Sequence, residues 1–176
     1  MMNIIAIDPS TTCVGVCINT QHGKAETRAY RYRRSKSVPR FEQLSQLWHD
    51  FVKLLNESSE FDLAVIEQYS MNSFGNSATK LAEVGGVLRL LLTLKKIPIL
   101  EIAPATWKSI ACLKYDIPKG DIAERAEHLY GVRFGTQDEC DAFLMERSVE
   151  IVLQQDSRHL TSTEKKLRDT LNELLK

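Results

Sequence analysis

The chain carries no excess charge of either sign: 23 Lys and Arg balance 23 Asp and Glu, a formal net charge of zero. Binding to nucleic acid through bulk positive charge is therefore excluded. Any phosphate-binding surface must come from sorting charges onto different faces. Cysteine is scarce. The four present, Cys13, Cys17, Cys112 and Cys140, form no C-x-x-C pair and have no histidines at zinc spacing. That argues against a zinc module and favours buried free thiols in a reducing compartment. Long hydrophobic runs are also missing, since the apolar stretch 84–94 is short and broken by Arg89. The first eight residues lack the basic n-region of an export signal, so a cytoplasmic location with no membrane contact is expected. Neither repeats nor low-complexity segments occur. What is present, 43% apolar and 26% charged residues in a chain of 176, suits one globular domain with room for an appendage.

Residues 3–8 (N-I-I-A-I-D) form a short apolar run that ends in an acid and is stopped by Pro9, the pattern of a strand buried on both faces. Residues 13–19 and 25–33 read as two further strands joined by short turns, which implies an antiparallel meander. From Pro39 the period changes. Phe41, Leu44, Leu47, Trp48, Phe51, Leu54 and Leu55 recur at three and four residues, predicting an amphipathic helix over 39–57. A strand over 62–67 again ends in an acid, a polar loop covers 68–77, and a long helix spans 78–96. A fifth strand is predicted over 97–102 and helices over 104–112, 119–130 and about 138–154. Gly131 stands where a left-handed cap would be. In the tail, Thr161 and Glu164 are spaced as a capping box ahead of a leucine stripe. The order predicts an α/β fold, a mixed five-stranded sheet with helices on its faces.

Two strands thus end in carboxylates, Asp8 and Glu67, and ligands of open α/β sheets gather beyond strand carboxyl ends. Asp138 and Asp141 stand three apart at a helix start, on one face. Each acid alone has an ordinary alternative: Asp8 as a turn residue, Asp138 as an N-cap. Four carboxylates brought together would repel one another unless protonated or neutralised by a cation. Oxygen donors without His or Cys select Mg²⁺ or Mn²⁺ over zinc. The stretch 28–40 holds Arg28, Arg31, Arg33, Arg34, Lys36 and Arg40 with no acid, either a solvated face or a phosphate-binding one.

These residues resemble a known family. I-I-A-I-D-P-S-T-T-C-V-G-V-C-I is similar to the first hairpin of RuvC-type Holliday junction resolvases, of the RNase H-like superfamily. Glu67-Gln68 resembles the family's E-Q motif, Ser77-Ala78, Lys80-Leu81 and Gly86 follow at its spacing, and Asp138-x-x-Asp141-Ala142 resembles its closing D-x-x-D-A motif. The likeness spans roughly residues 3–153.

The resemblance implies a structure-selective endonuclease that nicks four-way DNA junctions in pairs. Asp8, Glu67, Asp138 and Asp141 would be catalytic and would hold two Mg²⁺ ions, with Mn²⁺ able to substitute and no small-molecule cofactor. Lys108 and Lys119 would approach the scissile DNA. The family works as a homodimer whose surface involves the long helix, where the Leu88, Leu91 and Leu92 side is either that surface or a core face.

Three departures stand out. Ser70 occupies the position of the family's wedging aromatic, with Tyr69 and Phe74 nearby. Residues 112–118 replace its Gly-rich loop. The tail 156–176 extends beyond a nuclease domain of 1–155. Such divergence resembles phage-encoded members. Competing readings are a same-fold nuclease for RNA or other branched DNA, such as the YqgF-like group, and a non-catalytic junction binder. An actin-type ATP-binding fold lacks room for its second phosphate hairpin.

Overall fold

The computed structural model describes residues 2–20, 25–32, 37–58, 60–69, 76–112 and 118–176, apart from the side chains of residues 76 and 119. Strands β1 (Ile4–Pro9), β2 (Val14–Asn19) and β3 (Glu26–Tyr30) form the meander. Helix α1 (Arg40–Glu57), strand β4 (Leu63–Glu67), helix α2 (Asn76–Leu94) and strand β5 (Ile99–Ile102) follow. Helices α3 (Pro104–Ala111), α4 (Lys119–Tyr130), α5 (Gln137–Gln154) and α6 (Ser162–Leu174) complete the chain. The sheet order is β3-β2-β1-β4-β5, with β1 antiparallel to β2 and parallel to β4. The predicted mixed five-stranded sheet is what forms. Its third strand ends at Tyr30 rather than at 33, and its long helix lies at Asn76–Leu94 rather than 78–96.

Strand period separates two cores. Ile4, Ala6, Leu63 and Val65 face the side packed by α3, α4, α5 and α6. Ile5, Ile7, Ala64 and Ile66 face α1 and α2. Even positions of β1 and odd positions of β4 therefore look toward α5. On α2, Leu88, Leu91 and Leu92 are all core residues. The structure thus decides between the two readings of that stripe: it packs on the sheet, and the exposed side of α2 carries Gly86, Leu90 and Leu94 instead.

The tail docks on the body. Leu167 and Leu171 enter the α5-side core, and the Thr161–Glu164 capping box is formed. The Arg168 guanidinium donates to the carbonyls of Val152 and Gln155, satisfying groups that the end of α5 would otherwise leave bare. Gly131 adopts the left-handed cap at φ 68°.

One buried acid lies far from the strand ends. Glu146 on α5 is fully buried, accepts from Asn19 Nδ2 at 2.6 Å and pairs with Arg147 at 2.9 Å. Burial raises its carboxyl above the usual range, against the pull of Arg147 and Asn19. A raised acid pKa stabilises the fold fully below the unfolded value of about 4.3 and loses that contribution as pH climbs through the folded value. Glu146→Gln, whose amide oxygen still accepts from Asn19 and which carries no charge to bury, should raise stability at neutral pH. The gain should disappear near pH 4 in denaturation curves taken across that range.

Candidate active site

Asp8 and Glu67 are set side by side by register. Ile7 is level with Ile66 across the parallel pair β1–β4, so the next residues, Asp8 and Glu67, close neighbouring strands about 4.8 Å apart. By strand parity both project to the α5 side. Asp8 is 7% exposed, and Glu67 is half-buried.

Gly15 brings in the third acid. It is the cross-strand neighbour of Asp8. A Cβ built on it would lie 1.9 Å from the Asp138 carbonyl oxygen and 2.8 Å from the Glu139 nitrogen. Only a residue without a side chain lets the first turn of α5 rest directly on β2. Thr136, not Asp138, caps this helix, accepting from the Glu139 N–H, which leaves the Asp138 carboxylate to other partners. Asp141 follows one turn later, on the stripe that continues through Met145 and Val149 into the core.

Neutral donors lie against Glu67, Asp141 and Asp138. Trp107 Nε1 donates to Glu67 Oε2 at 3.1 Å, Gln137 Nε2 to Asp141 Oδ1 at 2.6 Å, and the Ser10 hydroxyl lies 3.5 Å from Asp138 Oδ2. Among the described residues, no three His, Cys, Asp or Glu side chains are gathered as a group that could hold a metal ion. In donor type the four carboxylates suit a hard divalent cation. Without a metal, the neighbouring thiols are held protonated. Cys13 is pushed up to about 11 by burial and then by the charge of Asp138, and Cys112 to about 11 and Cys140 to about 12 by burial and then by Asp141.

The basic candidates divide. Lys108, in the last turn of α3, places its ammonium 5.3 Å from the Trp107 ring centroid, beside the Glu67 end of the site. Lys119 opens α4, with its side chain outside the described residues, as are Arg33, Arg34 and Phe74 altogether. Within the basic stretch, Arg28 pairs with Glu26, and Arg40 pairs with Glu83 while lying over the Tyr32 ring. Tyr69 lies on α2. Its hydroxyl donates to the Ala82 carbonyl at 3.2 Å, the Arg89 guanidinium stacks 4.4 Å from its ring, and Gly85 leaves the space the hydroxyl fills. Sequence reasoning passed over Trp107, Gln137 and Arg89. A signal existed for the first, one of only two tryptophans, directly before Lys108.

No family model matches the chain. In sequence it is similar to the crossover junction endodeoxyribonuclease RuvC of Ehrlichia ruminantium, 27% identical over 149 residues that cover 80% of this chain and 91% of that one. It is also similar to RuvC of Thermotoga petrophila, 28% identical over 105 residues, 58% of this chain, and the match spans only 63% of that relative. In structure it superposes on Thermus thermophilus RuvC with a TM-score of 0.71 at 15% identity, covering 87% of this chain and 96% of that one. The same protein in complex with a Holliday junction substrate gives 0.70 at 16% identity, covering 84% and 92%. The yeast mitochondrial Holliday junction resolvase Ydc2 gives 0.55 at 11% identity, covering 98% and 85%. Among the described residues no helix is long and apolar enough to cross a membrane. The chain therefore has the RNase H-like fold of RuvC, a mixed five-stranded sheet flanked by helices, and carries sequence similarity to RuvC through that fold.

Proposed function

We propose that the protein is a divalent-cation-dependent DNA endonuclease that resolves four-way junctions. One observation carries the reading: in a fold shared with a junction-bound RuvC, Asp8 and Glu67 end adjacent parallel strands on the face where α5 lays Asp138 and Asp141. Asp8 would hold both of two Mg²⁺ ions, Glu67 and Asp141 one each, and Asp138 would complete the set, with Mn²⁺ an acceptable substitute. Bound there, the cations would lower the pKa of water and offset charge on the leaving oxygen. The chain's own part is to fix four carboxylates on rigid strand and helix ends. Lys108 and Lys119 counter charge on the scissile phosphate as attack proceeds in line, leaving 5′-phosphate and 3′-hydroxyl ends. With Tyr69 occupied on α2, Phe74 is the better aromatic to stack on an unpaired base, and Arg33 and Arg34 lie in the stretch suited to flanking phosphates.

A symmetric dimer would place two such sites on the two-fold junction, and the exposed Gly86, Leu90 and Leu94 side of α2 is its candidate surface. The nuclease unit is assigned to 1–155 with 156–176 as a docked extension, acting in the cytoplasm. The three departures from the RuvC pattern favour a phage-encoded member.

The test is a synthetic mobile four-way junction incubated with the protein and Mg²⁺, both cuts mapped. Symmetric paired nicks are expected, lost with chelator and restored by Mg²⁺ or Mn²⁺. Uncut junctions alongside cleaved forks or structured RNA would overturn the resolvase assignment in favour of a same-fold nuclease.

A further inference from the structure

Glu67 is held by residues of two different helices. On its carboxylate, Trp107 Nε1 donates to Oε2 at 3.1 Å. On its backbone, Arg89 Nη2 donates to the carbonyl at 3.4 Å, while Arg89 Nε pairs with Glu101 at 2.5 Å and the guanidinium stacks on Tyr69. Trp107 is 1% exposed, its ring packed in the α5-side core. An indole N–H can only donate, and buried in this way it requires an acceptor. The acceptor here is a carboxylate from a strand 40 positions away, so the bond is charge-assisted and directional. The opposite use of the same side chain is its face, over which the Lys108 ammonium sits 5.3 Å from the centroid.

We propose, resting on the cation-dependent reading above, that Trp107 is a positioning residue: its indole N–H fixes the direction in which the Glu67 carboxylate faces the metal, and its ring face steadies Lys108. Partners that hydrogen-bond a metal-binding side chain fix its orientation and set its affinity. Lys108 rests on the face of the same ring. Trp107 thus links the groups meant for the cation and for the phosphate, and neither can turn without disturbing it.

The test compares the unaltered protein with Trp107→Phe, which keeps an aromatic ring and removes the donor. Mn²⁺ affinity is measured by calorimetry without DNA. Junction cleavage is followed across a Mg²⁺ titration, and junction binding is measured in Ca²⁺. The expected result is a 10–100-fold weaker Mn²⁺ affinity and cleavage that falls at low Mg²⁺ but recovers at high Mg²⁺, with junction binding unchanged. Unaltered Mn²⁺ affinity and an unaltered Mg²⁺ profile in a folded Trp107→Phe protein would overturn the proposal.

A second measurement decides the matter even if that variant does not fold. In Trp48→Phe, Trp107 is the sole tryptophan, and Mn²⁺ should quench its emission through the adjacent carboxylate. Glu67→Gln should abolish the quenching. Quenching that is absent, or that survives Glu67→Gln, counts against the link. If the unaltered protein binds no Mn²⁺ at all, the cation-dependent reading itself fails, an outcome distinct from a metal-binding protein indifferent to Trp107.

Discussion

Asp8→Asn is expected to slow junction cleavage by about three orders of magnitude or more while leaving junction binding intact. Asp8 is buried at the end of β1 and level with Glu67. Asparagine matches its shape and much of its hydrogen bonding but removes the charge that a shared cation ligand must supply. Losing that ligand forfeits roughly 4 kcal/mol of transition-state stabilisation, which corresponds to the stated rate loss. Thermal melting checks that the variant folds. Single-turnover cleavage, gel-shift binding in Ca²⁺ and thermal melting together test the assignment. A variant that cuts at the parental rate would remove Asp8 from the metal site and with it the nuclease reading.

Among the described glycines, Gly15→Ala should be the most damaging alanine change, whatever the reaction. Its added carbon meets the backbone of Asp138 at 1.9 Å and 2.1 Å, and backbone cannot rotate aside as a side chain can. Either β2 or the first turn of α5 must retreat. Overpacking of this kind costs about 3 kcal/mol, a fall in Tm of about 6–12 °C for a domain of this size. Because Gly15 is the cross-strand neighbour of Asp8, the retreat also moves Asp138 away from the strand ends, and cleavage should drop out of proportion to the folded fraction. An alanine variant with parental Tm would mean that α5 does not rest on β2 as described.

Much of this was legible beforehand, for reasons that can be traced. Apolar runs stopped by an acid at residues 8 and 67 announced both strands and their chemical ends, because strand period and strand direction are local properties. The Thr161–Glu164 box and Gly131 were legible because caps are set within four residues. The side of α2 holding Leu88, Leu91 and Leu92 was not, since periodicity reports an apolar stripe without saying what presses on it. Asp138 could be read as a cap until Thr136 took that role. Trp107 escaped notice because its partner, Glu67, is 40 residues away. Arg40 likewise spans 43 residues to Glu83. Pairings of that length depend on the assembled sheet, which local pattern cannot supply.

The division of the interior by the sheet has a further consequence. Every candidate ligand among the strand acids looks one way, and the residues packing α1 and α2 look the other, with Arg89 reaching the Glu67 carbonyl at one place and Tyr32 reaching the carbonyl of Ser10, beside Asp138, at another. Substitutions behind the sheet can therefore accumulate with little influence on the carboxylates in front. Outward residues there, Phe41, Leu90 and Leu94 among them, can alter what the back of the molecule presents while the carboxylates in front keep their places.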